Sequence, residues 1–136
     1  MRIIVCLDDK NGMLFAGRRQ SMDRILRQQA LLLAGDQPLW MNRYTAKQFA
    51  EDGGNLAVDE KFLENAPADA WCFVENTDIM PHFARIRQVA VYRWNRQYPA
   101  TTWFPMEQFQ NRWTLRSSRE FSGSSHDVIT EEVYAL

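Results

Sequence analysis

Cysteine and histidine are almost missing from this chain, with two of each among 136 residues. Cys6 and Cys72 both lie inside apolar, strand-like runs, where a reduced thiol acts as a small hydrophobe, so no disulfide framework is expected. His82 and His126 have no cysteine or acidic pair at ligand spacing, which excludes a zinc site. Excess charge is missing too. Sixteen basic residues against 17 acidic ones leave a net charge of −1, and no overall field draws the chain to nucleic acid or to a membrane. Thirteen of the 16 basic residues are arginine, a type suited to phosphate, yet no nucleic-acid-binding motif occurs. There is no Gly-x-Ser-x-Gly elbow and no phosphate-binding loop. No apolar run reaches membrane-spanning length, and no signal peptide is recognisable. The expectation is a cytoplasmic protein with no metal, no nucleic acid and no membrane partner.

What is present argues for a folded globule. Apolar residues make up 46% and aromatics 12%, and the length suits one domain over residues 1–136. Charge is unevenly spread. Arg18, Arg19, Arg24 and Arg27 cluster early, while residues 51–78 carry eight acids against Lys61 alone. Such a pattern orients a ligand or a second subunit, or is simply solvated surface.

Met1 to Leu7 is a continuous apolar run, the pattern of a strand buried on both faces. Residues 8–12 read as a turn and 13–20 as loop. Ser21 is a good N-cap for a helix whose apolar positions are Met22, Ile25, Leu26, Ala30 and Leu33, closed by Gly35 and Pro38. Pro38 to Asn42 is a short strand, Thr45 to Ala50 a brief helix, and Leu56 to Val58 a strand. Asp59 then caps a helix running through Glu64. Trp71 to Glu75 is a strand, and Thr77 caps a helix that Pro81 should shorten or distort. Gln88 to Trp94 alternates, with Val89 and Val91 opposite Ala90, Tyr92 and Trp94. Trp113 to Phe121 and Asp127 to Leu136 flank a Ser-Gly-Ser-Ser turn as a closing hairpin. Helices alternating with strands before a terminal hairpin imply an α/β, mostly parallel sheet with an antiparallel edge. That edge is a plausible pairing surface for a homodimer.

The order of these elements around Thr102-Trp103-Phe104-Pro105 resembles dihydrofolate reductase. The resemblance covers the whole chain and implies that family's three-layer fold. In the family, an early helical acid contacts the pterin, and Asp23 occupies that place. A strand ending in Met-Gly-Arg-x-Thr contacts cofactor phosphates, and here it is similar to Met41-Asn42-Arg43-Tyr44-Thr45. The threonine of Thr-x-Phe-Pro touches the acid, which implies a hydrogen bond from Thr102 to Asp23. Asp23 and Thr102 are therefore the catalytic candidates. Asn42, Arg43, Tyr44, Thr45, Trp103, Arg18 and Arg19 are the ligand-binding ones. Each also has an ordinary explanation. Asp23 is favoured at a helix N-terminus, with Arg27 four residues on for an ion pair. Thr102 is a β-favouring residue before a turn, and the arginines are typical of surface.

The chain departs from the family in three places. The Gly-Gly loop, where bare backbone meets the cofactor pyrophosphate, reads Glu75-Asn76-Thr77. The stretch between Phe49 and Leu56 is too short for the strand and loop that cradle the adenosine phosphate, and the arginine that grips the folate tail goes with them. The Pro-Trp of the mobile loop reads Arg18-Arg19. Residues 75–77 are thus a degenerate, non-binding cofactor loop. The resemblance implies a shortened, non-reductase relative with no cofactor, binding a small planar or anionic ligand or acting as an interaction module. The alternative is a divergent NAD(P)H-dependent oxidoreductase acting on a pterin- or flavin-like heterocycle.

Overall fold

The computed structural model describes residues 1–136. A seven-stranded sheet forms its middle layer, built from β1 (Arg2–Leu7), β4 (Leu39–Met41), β5 (Leu56–Val58), β6 (Trp71–Phe73), β7 (Gln88–Arg93), β9 (Thr114–Phe121) and β10 (Ile129–Ala135). Its order is β5-β4-β6-β1-β7-β10-β9, and the first five run parallel. Only β10 runs against the others, pairing antiparallel with both β7 and β9, as the terminal hairpin required. Strand β1 lies between β6 and β7, so both of its faces are covered. Ile3, Val5 and Leu7 enter one apolar core and Ile4 the other. The alternation in β7 divides in the same way, with Val89 and Val91 opposite Ala90, Tyr92 and Trp94.

Helices α1 (Arg24–Ala34) and α2 (Arg43–Gln48) cover one face of the sheet. Helix α3 (Phe62–Asn65), a 3₁₀ turn (Met80–Arg85) and α4 (Met106–Gln110) cover the other. Helix α1 buries Leu26, Ala30 and Ala34, one residue per turn, and Leu26 alone contributes about 2 kcal/mol through burial. Gly35 ends it at φ 62, a left-handed backbone that side chains resist.

Several boundaries differ from the sequence expectation. Residues 13–20 are not simple loop: β2 (Gly12–Phe15) and β3 (Arg18–Arg19) form a hairpin, joined by β8 (Thr102–Trp103) into a second small sheet. The hairpin turns through Ala16 (φ 51) and Gly17 (φ 75), both left-handed as a tight hairpin requires. Alanine carries no signal for that conformation. The cap of α1 is Asp23 rather than Ser21, with the Asp23 carboxylate accepting from the Leu26 N–H. Helix α2 starts at Arg43, two residues before the expected Thr45, because Asn42 caps it by accepting from the Thr45 N–H. Asp59 bonds the Lys61 N–H and lies short of α3, which begins at Phe62. Asp78, not Thr77, receives the Met80 N–H ahead of the 3₁₀ turn, which contains Pro81 as expected of a distorted helix. Helix α4 was not foreseen. Strand β9 is an edge strand, exposed from Thr114 to Glu120, because only β10 pairs with it.

Candidate functional site

Open parallel sheets form crevices outside the carboxyl ends of their strands, where neighbouring connections leave toward opposite faces. Here that point falls between β1, whose chain goes on to α1, and β6, whose chain goes on to the 3₁₀ turn on the other face. Most of the candidate residues gather around it, but as three separate groups.

The first group fills the crevice. Arg19 donates from Nε and Nη2 to the two Glu75 carboxylate oxygens at 2.9 and 3.0 Å. Its guanidinium also stacks on the Tyr44 ring, 4.1 Å from the centroid, and donates to the Tyr44 carbonyl. The Tyr44 hydroxyl accepts from the Arg19 main-chain N–H at 2.8 Å. Only 8% of the Glu75 side chain and 19% of the Arg19 side chain remain exposed. Burial alone would lower the Arg19 pKa, but the Glu75 carboxylate outweighs it and raises the net value. Arg19 and the turn that begins at Glu75 thus bind each other. Arg18, by contrast, is exposed.

Asn42 connects α2 to the same turn, donating from Nδ2 to Asn76 Oδ1 at 2.8 Å and, more weakly, to Thr77 Oγ1 at 3.4 Å. An anion at the start of α2 would meet a carboxylate already in place, because the Arg43 N–H donates to Glu60 Oε2 at 2.8 Å. The Arg43 side chain is exposed, and the buried Thr45 hydroxyl meets no partner.

The second group surrounds Asp23. The expected bond from Thr102 is not made, and the expected ion pair with Arg27 is replaced by one between Arg27 and Asp52 at 2.6 Å. Asp23 is instead buried against the turn between β9 and β10. Oδ1 accepts from the Leu26 and Ser124 N–H groups, and Oδ2 from the Ser125 N–H, the Ser125 hydroxyl and His126 Nδ1. An ionised carboxylate only accepts, so His126 carries its proton on Nδ1. His126 Nε2 lies 3.0 Å from the Tyr98 hydroxyl and 3.2 Å from the Ser21 hydroxyl, within hydrogen-bond distance of both. The His126 ring stacks on Trp94, with centroids 4.5 Å apart. Burial pushes the Asp23 pKa up, but the N–H groups of Ser125, Ser124 and Leu26 and the His126 ring together hold it well below the usual carboxylate range. Asp23 is therefore a neighbour of His126 and Ser125, which no local signal in the sequence pairs with it.

Gly123 belongs to this turn. A Cβ there would overlap the Asp23 carboxylate and stand 2.9 Å from the His126 carbonyl. Gly123→Ala is expected to cost about 1–3 kcal/mol in urea denaturation. An unchanged midpoint would mean that the turn is not packed on Asp23.

The third group lines a cavity of about 290 Å³ beside the Glu75 turn, formed by Met13, Leu14, residues 75–79 and Thr102 to Pro105. Thr102 and Trp103 reach it because β8 pairs with β2, Leu14 facing Thr102 and Gly12 facing Trp103. Trp103 is 55% exposed, whereas Trp71, Trp94 and Trp113 are buried. Elsewhere the chain offers no cluster of three metal-ligating side chains, and no helix is long and apolar enough to cross a membrane.

No known family profile matches this chain, and no curated protein matches it in sequence. Solved structures do. A dihydrofolate reductase from Enterococcus faecalis, complexed with NADP(H) and RAB-propyl, superposes with a TM-score of 0.68 over 98% of this chain and 94% of its own, at 10% identity. Superposed on that structure over nearly its whole length, the chain has the dihydrofolate reductase-like fold.

Proposed function

We propose that this protein is a non-reductase relative within that fold, one that binds a small ligand in the cavity between residues 75–79 and Thr102 to Pro105 and does not use a nicotinamide dinucleotide. The observation that carries this reading is the Arg19–Glu75 pair. On the family's pattern a diphosphate would lie against this turn. Here it would have to take Arg19 away from Glu75, or else rest against a carboxylate. A bare like-charge contact at 4 Å costs about 4 kcal/mol near a protein surface. The residues present do not fit that cofactor. In this reading the ligand contacts fall to Thr102, Trp103, Asn76 and Thr77, while Asp23 positions the turn between β9 and β10.

The rival reading, an NAD(P)H-dependent reductase of a pterin- or flavin-like heterocycle, draws on the fold and on the NADP(H) named with the E. faecalis enzyme. A thermal-shift series with NADPH, NADP, folate and mononucleotides separates the two. A dinucleotide at a hundredfold excess over its Kd would stabilise by about 2.7 kcal/mol, roughly 8 °C for a chain of this size. The expected NADPH shift is under about 1 °C, and a saturable shift at micromolar NADPH would refute the proposal. The exposed β9 edge supports a role in association with a second copy, which light scattering tests directly.

A further inference from the structure

The cavity assigned above to a small ligand has a charge pattern that restricts what enters it, and the following step rests on that assignment. Its charged lining residues are Glu75 and Asp78, with no lysine, arginine or histidine among them. Glu75 is compensated, since both of its oxygens are held by Arg19. Asp78 is not: it is exposed, one oxygen accepts the Met80 N–H at 3.0 Å, and the other meets no donor in the protein.

Trp103 is unpartnered in a second sense. Four other aromatic rings carry a guanidinium from within the chain: Arg2 on Trp71, Arg19 on Tyr44, Arg112 on Phe83 and Arg119 on Phe121. Trp103 has no such cation, although indole is the best ring for one. An open indole and an uncompensated carboxylate therefore line the same cavity, whose remaining wall includes Met13, Leu14, Ile79 and Phe104.

We infer that this cavity takes a compact organic cation, an amidinium or ammonium head drawn to Asp78 and carried on a flat apolar body against Trp103. Its volume, about 290 Å³, admits one or two rings and excludes a dinucleotide. The main-chain N–H groups of Asn76 and Thr77 meet no acceptor in the protein, and these are what an anion would use. An anion would nevertheless face the full charge of Asp78 with no cationic side chain in the wall to offset it.

Three probes of nearly one shape make the test: benzamidinium, neutral benzamide and anionic benzoate. Each is titrated into the whole chain while the tryptophan indole N–H resonances are followed by NMR, with Trp103 assigned from a Trp103→Leu variant. Benzamidinium is expected to shift the Trp103 resonance and to bind at least about fivefold tighter than benzamide, with benzoate weakest. Asp78→Asn, an exposed substitution whose folding circular dichroism checks, is expected to bring benzamidinium down to the affinity of benzamide and leave benzamide unchanged. If benzoate binds as tightly as benzamidinium, or the order survives in Asp78→Asn, the cation inference falls while the ligand-binding reading stands. If none of the three moves the Trp103 resonance at millimolar concentration, both fall.

Discussion

Asp23→Asn is expected to lower the melting temperature by roughly 10 °C, the consequence of losing about 3 kcal/mol in a chain of this size. The carboxylate is buried and accepts five hydrogen bonds, two at Oδ1 and three at Oδ2. An amide has one acceptor end. In either orientation its NH₂ meets main-chain N–H donors, and each donor left buried without an acceptor costs about 1–3 kcal/mol. The turn from Ser122 to Asp127 would then come away from the start of α1, and calorimetry should show the loss directly. The same carboxylate should appear in acid titration. Its folded pKa is depressed, so its stabilising contribution is full above the unfolded value near 3.8 and is lost as pH falls from there toward the folded one. Asp8 adds to the same slope. Burial pushes its pKa up, but the N–H groups of Gly12 and Lys10, with Gln20 and Tyr98, bring it below the ordinary value. The wild type should therefore lose stability steeply below about pH 4, and Asp23→Asn less steeply. A variant within about 1 kcal/mol of wild type, with an unchanged acid slope, would remove Asp23 as the anchor of this turn.

Arg19→Ala should be nearly as damaging, by about 2–4 kcal/mol in urea denaturation, because it leaves a nearly buried carboxylate without its partner. Glu75→Gln should cost less, since a neutral amide still accepts from Arg19 and needs no countercharge. Removing both partners tests whether the pair acts as a unit. The double variant Arg19→Ala/Glu75→Gln should be more stable than the sum of the single losses implies, with a coupling of about 1.5–3 kcal/mol. Side-chain exposure of 19% on Arg19 keeps this figure below that of a fully buried pair. A coupling under about 0.5 kcal/mol would mean that the crevice is closed by packing alone, and the case against a diphosphate at this turn would lose its electrostatic part. The Tyr44 ring under Arg19 should hold part of the loop even in Glu75→Gln.

Sequence reading worked best where the signal is local. The apolar run of β1 and the alternation in β7 show their burial in the residues themselves, and the Ser-Gly-Ser-Ser turn marks the hairpin of β9 and β10. It did less well where two neighbouring residues compete for one role, as Ser21 and Asp23 do for the cap of α1. It missed the hairpin at Ala16-Gly17, because alanine gives no hint of a left-handed turn. It named Arg19, the Met41–Thr45 stretch and the Glu75-Asn76-Thr77 turn as candidates without a reason to pair their side chains. It set His126 aside because no cysteine or acidic pair stands at ligand spacing from it, and the carboxylate that His126 meets, Asp23, is 103 residues away.

Periodicity and turn chemistry act over a few residues, so the sequence alone settled the α/β class, the parallel sheet with its antiparallel end, and the presence of a carboxylate at position 75. Whether that carboxylate is free or paired, and which loop satisfies Asp23, depended on which segments the sheet order brings together. Arg19 and Glu75 are 56 positions apart and meet only because β1 and β6 are neighbours in the sheet. A charge finds its partner through space, and that proximity exists only once the strands have paired.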